Sequence, residues 1–248
     1  MTLHIFWKIF LISSFLMGCT HISDKSREQA AQQTRLQLGL EYLKQGDYKA
    51  ARQNFEKALL ENEEDYRAQL GMALYEQNVG ENKAAHQRYQ KILKLAPLNA
   101  TVMNHYGTFL CKQGDYASAQ EQFSAAVLST DYIEIADNLE NAGYCFFEAK
   151  QYKFAQMLIS RALKYDAEKG RFLIEKAKKQ FEFKKYDHAQ FLLNVHQSVL
   201  PVCAEVLLLQ IYLSDKFGDE DSLQNIGKQL ARDFSHSKEY KDYLAHED

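Results

Sequence analysis

Four cysteines are the side chains of this 248-residue chain best suited to covalent chemistry: Cys19, Cys111, Cys145 and Cys203. Their settings differ. Cys19 closes the stretch MTLHIFWKIFLISSFLMGC, where Lys8 supplies a positive charge and Ile9 to Met17 is an apolar run broken only by Ser13 and Ser14. A bilayer span needs about 20 apolar residues, so this run is too short to cross one and reads as a signal peptide over residues 1–18. The other three cysteines lie in or beside helical patterns, and an odd number cannot all pair. Buried, small apolar side chains are one reading of them. A Cys111–Cys145 disulfide in an oxidising compartment is the other. No catalytic set accompanies them. The eight histidines have no HxxxH spacing and there is no CxxC, so metal ligation is not expected. A Walker loop and a GxSxG elbow are missing from the sequence. Acid clusters such as Glu61 to Glu64 and Glu220-Asp221 fall at expected helix ends or turns and read as solvated surface. The chain therefore reads as a non-enzyme without a small-molecule substrate.

Leu16-Met17-Gly18-Cys19 resembles the lipobox of bacterial lipoproteins: a large apolar residue three positions before a cysteine, with a small residue just ahead of it. The resemblance implies that the mature chain begins at Cys19, whose thiol takes a diacylglycerol through a thioether. That covalent lipid is the one non-protein group expected; no cofactor is. Two or more acyl chains anchor stably where one anchors marginally. Thr20 follows the cysteine. In that family an Asp there commonly retains the protein in the inner membrane, so the resemblance implies the periplasmic face of an outer membrane. Residues 19–31 then form the lipidated N-terminus and a polar tether.

The elements that follow are set by spacing. Leu36 to Ala58 reads LQLGLEYLKQGDYKAARQNFEKA. Its first part has apolar residues at helical spacing. Gly46-Asp47 breaks the helix, because Gly takes a turn conformation cheaply. Ala51, Phe55 and Ala58 then recur at i, i+4, i+7 on one face of a second helix. Gly107, Gly114-Asp115-Tyr116, Ala119, Phe123 and Ala126 repeat the layout 68 residues on, twice 34. This period and pattern resemble the tetratricopeptide repeat. Six repeats are read: 32–65, 66–99, 100–133, 136–169, 170–203 and a degenerate 204–237, with Glu134 and Ile135 inserted and 238–248 as a C-terminal cap or tail. The expected fold is all-α, six helix hairpins wound into a right-handed superhelix. Position 8 of each repeat must be small where the two helices approach; positions 20 and 27 are small where the second helix meets its neighbours. Position 24 is bulky and fills the wedge.

The inner face of such a repeat is lined by positions 2, 5, 9, 12 and 13 of the first helix. Repeats one and two place Leu36, Leu40, Leu43, Leu70 and Leu74 there. Later repeats are more polar, with Tyr144, Phe147 and Phe181 as secondary aromatic candidates. Apolar residues exposed together mark a binding site, so the leucines are the expected protein-binding groove.

Net charge is −3, and removal of Lys8 with the signal makes it −4. No basic patch of the kind nucleic acid demands is present. A lipobox, six repeats and the ending Asp233-Phe234-Ser235-His236-Ser237-Lys238-Glu239-Tyr240 together resemble the type IV pilus biogenesis and stability lipoproteins, the pilotins of the pilus secretin. Ser235 stands where that family commonly has Pro. The resemblance implies a scaffold that binds secretin subunits and helps them reach the outer membrane and form multimers. The alternative is a repeat lipoprotein that recruits cell-wall hydrolases or outer-membrane assembly factors. Replacing Cys19 by Ser is expected to leave helicity and melting temperature unchanged while abolishing acyl labelling and recovery with outer-membrane fractions. Acyl labelling of the Ser variant at the wild-type level would remove the lipid assignment.

Overall fold

In the computed structural model the described residues are 24–129 and 134–247. They form thirteen helices and no strand. Two compact units divide the chain, Met1–Leu95 and Ala96–Asp248. The described part of the first holds α1 (Asp24–Gln45), α2 (Tyr48–Glu61), α3 (Tyr66–Asn78) and α4 (Asn82–Leu95). The second holds α5 (Ala100–Lys112), α6 (Tyr116–Ser129), α7 (Ile135–Glu148), α8 (Tyr152–Tyr165), α9 (Lys169–Glu182), α10 (Tyr186–Gln197), α11 (Ala204–Phe217), α12 (Glu220–Asp233) and α13 (Lys238–Glu247). Each odd helix up to α11 pairs with the next as a hairpin. Within the first unit α3 also touches α1 and α2. Within the second, α7 touches α5 and α6, α11 touches α9 and α10, and α13 packs on α11 and α12.

The first helix is longer than the sequence reading expects. Residues 24–31, read as tether, belong to α1. Their composition explains this: DKSREQAA contains no Gly or Pro and is rich in good helix formers.

Each hairpin turn needs one residue with a left-handed backbone. Gly46, Gly80, Gly114 and Gly218 occupy it with φ of 79°, 83°, 81° and 68°. Lys150 and Lys184 occupy it in the fourth and fifth hairpins with φ of 61° and 60°, where an L side chain is less comfortable. The residue after the turn often caps the second helix. Asp47 accepts from the Ala50 N–H (3.0 Å), Asp115 from the Ser118 N–H (3.2 Å) and Asp219 from the Ser222 N–H (3.0 Å). Each such cap satisfies an orphan donor of the first helical turn. The Gly-Asp pair thus ends one helix and starts the next.

Packing follows the small–large alternation. Phe55 on α2 is fully buried. A Cβ built on Gly39 of α1 would lie 2.5 Å from the Phe55 ring, and one on Gly71 of α3 would also overlap it. The ring therefore sits against bare backbone on two helices, one in its own hairpin and one in the next. Phe123 meets Gly107 in the same way at 3.0 Å, and Ile159 meets Gly143 at 2.5 Å. Leu36, Ala51, Ala58, Ala68, Met72 and Tyr75 complete the core around Phe55.

Two buried polar features were not visible in the repeat pattern. Arg88 on α4 donates from Nε (2.9 Å) and Nη2 (2.6 Å) to the buried Glu76 carboxylate and from Nη1 to Gln69 Oε1 at 2.6 Å. Gln69 in turn donates to the Glu63 carbonyl at 2.7 Å. The ion pair is kept in a low-dielectric site by these extra hydrogen bonds, the condition under which a buried pair is tolerated. His196 takes the place of the small residue at position 27 of the fifth repeat; it is buried, and burial holds its imidazole below its usual pKa.

Phe55→Ala is expected to cost about 3–5 kcal/mol, the usual range for emptying a fully buried phenylalanine site. Urea denaturation followed by circular dichroism measures it; a cost below about 1 kcal/mol would show that the ring is not a keystone of this core.

Candidate protein-binding faces

The leucines expected on the inner face divide by their depth in the first unit. Leu36 on α1 is 7% exposed and belongs to the Phe55 core, so it is not available to a partner. This corrects the reading that placed it in the groove. Ile174, at the same position of the fifth repeat, is buried too, whereas Leu70 at that position of the second repeat is half-buried. Leu40 at position 9 is 46% exposed. Leu43, Leu70 and Leu74 are half-buried. Leu43 leans on the core through its inner edge. Leu40 and Leu43 stand on α1 and Leu70 and Leu74 on α3, two helices in mutual contact. Leu38, 44% exposed, adds an apolar side chain to α1 that the register did not single out.

In the second unit the three aromatic candidates have three different surroundings. Tyr144 on α7 donates its hydroxyl to Glu140 at 2.8 Å, and the Lys176 ammonium stands 3.0 Å from its ring centre. Burial and the neighbouring Glu140 charge push the phenol above its ordinary pKa. Burial lowers the Lys176 amine, with Glu140 and Glu148 acting the other way. Phe147 is enclosed by rings: Phe191 at 4.5 Å, His188 edge-on at 4.7 Å and Tyr152 at 5.2 Å. It joins hairpins more than it faces a partner. Phe181 on α9 lies 5.3 Å from Tyr186 and 6.2 Å from Tyr212. It also lines a cavity of ≈ 400 Å³ with Ile211, Tyr212, Asp215, Lys216, Leu223 and Tyr243. Tyr243 comes from α13, beyond the last repeat, which is why the repeat register could not find this cavity.

Cys111 on α5 and Cys145 on α7 form a disulfide, with Cα atoms 5.7 Å apart. It joins the first helices of two consecutive hairpins. Cys203 is half-buried and free. Cys19 and the rest of the expected signal lie outside the described residues. Among the described residues, no group of three His, Cys, Asp or Glu side chains could hold a metal ion, and no helix is long and apolar enough to cross a membrane.

Antiparallel hairpins recurring at 34 residues, with glycine turns and a bulky wedge between small residues, define a tetratricopeptide-repeat protein. The family model described as "Tetratricopeptide repeat" matches residues 36–78 and 70–137. The chain is 29% identical over 244 residues to the "Type IV pilus assembly protein PilF" of Pseudomonas aeruginosa, covering 96% of each. It is 31% identical over 142 residues to an uncharacterized protein of Haemophilus influenzae, covering 57% of this chain and 79% of that one. A solved structure from a functional characterization of Pseudomonas aeruginosa PilF aligns with a TM-score of 0.59 at 29% identity, covering 88% of this chain and 99% of the other. The crystal structure of PilW, described as a widely conserved type IV pilus biogenesis factor, shares the fold at a TM-score of 0.59 and 24% identity, over 86% and 98% of the two chains. The chain is a tetratricopeptide-repeat protein, homologous to PilF along nearly its whole length.

Proposed function

We propose that this protein is a lipid-anchored, non-enzymatic scaffold on the periplasmic face of the outer membrane. It binds subunits of the type IV pilus secretin there and promotes their localisation and multimerisation. The observation that carries this reading is homology to a type IV pilus assembly protein along nearly the whole chain. The lipobox-like end at Cys19 supports the anchor, and the Cys111–Cys145 disulfide fits an oxidising compartment. The client segment lies on the face of α1 and α3 that carries Leu40, Leu43, Leu70 and Leu74. An amphipathic helix or extended apolar segment would set its anchors among these side chains. Anchoring both molecules to one membrane raises their effective concentration without any new contact.

The chemistry asked of the site is modest. Covering one leucine contributes roughly 1.5–3 kcal/mol, so removing one anchor should weaken binding about tenfold or more. Leu40→Glu is the informative variant, because that side chain is already half in solvent. It is expected to keep the wild-type melting temperature and to lose most of its retention of purified secretin; adding Leu74→Glu should remove the rest. Wild-type retention by the double variant would place the client elsewhere. Capture of wall hydrolases in place of secretin would favour the adaptor reading.

A further inference from the structure

The far end of the second unit carries an apolar cavity with an acidic border. Phe181 of α9, Ile211 and Tyr212 of α11, Leu223 of α12 and Tyr243 of α13 line the ≈ 400 Å³ cavity described above. That volume falls within the ~300–1,000 Å³ of ordinary ligand pockets. Its shape has a local cause. The Tyr243 hydroxyl lies 2.7 Å from where a Cβ on Gly227 would be, so α13 seats closely on α12. A second recess of ≈ 300 Å³ shares Phe181 and Tyr212 with the first, so the two adjoin.

Charge distinguishes this recess. Five carboxylates line the two recesses together, Glu182, Glu205, Asp215, Glu239 and Asp242, against three lysines, Lys178, Lys216 and Lys238, a difference of −2. Two of those lysines are already engaged by lining carboxylates. Lys178 donates to Glu205 at 3.1 Å and Lys216 to Asp215 at 2.8 Å. Glu182, Glu239 and Asp242 line the second recess, with Lys238 as the remaining lysine to offset them. The acidic field reaches the floor: burial first, and then the Asp242 charge, hold the Tyr212 phenol above its ordinary pKa.

We propose that this recess is a second protein-docking site, taking a segment of a partner protein that buries an aromatic or large aliphatic side chain against Phe181, Tyr212 and Tyr243 and sets Lys or Arg against Glu239 and Asp242. Apolar lining supplies most of the affinity, since the buried core of an interface dominates its energy. The border selects the sign of the partner, because like charges placed together are penalised. An acidic or all-apolar segment would leave the carboxylates facing nothing, or repelled. This site is separate from the leucine face of α1 and α3 and does not depend on the identity of the client proposed there.

The test uses the full chain in detergent micelles and fluorescein-labelled dodecapeptides. One peptide carries a single Phe flanked by two Lys, the second Glu in place of both Lys, the third Ala in place of Phe. Fluorescence anisotropy should show the Phe/Lys peptide binding at least about tenfold more tightly than either control, with affinity falling as salt rises. Glu239→Lys with Asp242→Lys changes a half-buried and an exposed group of α13 and should reverse the preference between the Lys and Glu peptides. Helicity and retention of secretin by the same variant should be unchanged. Equal binding of the Lys and Glu peptides, or a preference untouched by the double variant, would overturn the proposal. So would concentration-dependent self-association that the double variant abolishes, since a second copy would then be the occupant.

Discussion

Phe55 packed between the bare backbones of Gly39 and Gly71 is the contact on which the first unit depends. A helix hairpin alone leaves an apolar stripe in water, and stacking buries it. For the stack to be tight, the bulky residue of one second helix must reach two first helices at once. Glycine at both contact points allows that approach, because any side chain would occupy the ring's own volume. Phe123 on Gly107 and Ile159 on Gly143 repeat half of this device, the contact within their own hairpins. Glycine in mid-helix is otherwise unfavourable by roughly 0.8–1 kcal/mol relative to Ala, so its presence here is a packing requirement that overrides helix propensity.

This packing decides what remains for binding. Position 5 is drawn into the core in the first and fifth repeats, as Leu36 and Ile174 show, so the available face of α1 is built on positions 9 and 12. In the first unit those positions, with half-buried Leu70, leave a leucine surface. Nearer the C-terminal end the corresponding face combines aromatic rings with carboxylates, and α13 adds Tyr243 and an acidic border. One fold therefore presents two faces of different chemistry. As proposed, the leucine face would select by shape and hydrophobicity, and the second would add a selection by charge.

Much of the architecture was legible because each repeat uses the same few residues for the same physical task. Gly46, Gly80, Gly114 and Gly218 mark the turns, and the alanines and aromatics mark the wedge. Lys150 and Lys184 hold the same turn without glycine, which spacing reveals and composition does not. Helix α1 began earlier than expected because its polar start still favours a helix. The depth of Leu36 was not legible, since a residue at the border of two faces is assigned by a rotation of a few tens of degrees that a linear pattern cannot resolve. The Arg88–Glu76–Gln69 network and the cavity under α13 were invisible for another reason. The network uses residues at positions to which the repeat pattern assigns no fixed type, and the cavity needs Tyr243 from outside the repeats.

Gly71→Ala tests the central packing claim most directly, because two effects of opposite sign compete at that residue. Helix propensity alone predicts a gain of roughly 0.8–1 kcal/mol from replacing a mid-helix glycine by alanine. The wedge predicts a loss, because the new methyl group would enter the space of the Phe55 ring. Urea denaturation of the single variant, and of Gly71→Ala combined with Phe55→Leu, separates them. Gly71→Ala should be less stable than wild type, and the added methyl should cost less once the smaller leucine replaces the ring. A Gly71→Ala protein more stable than wild type would contradict the account.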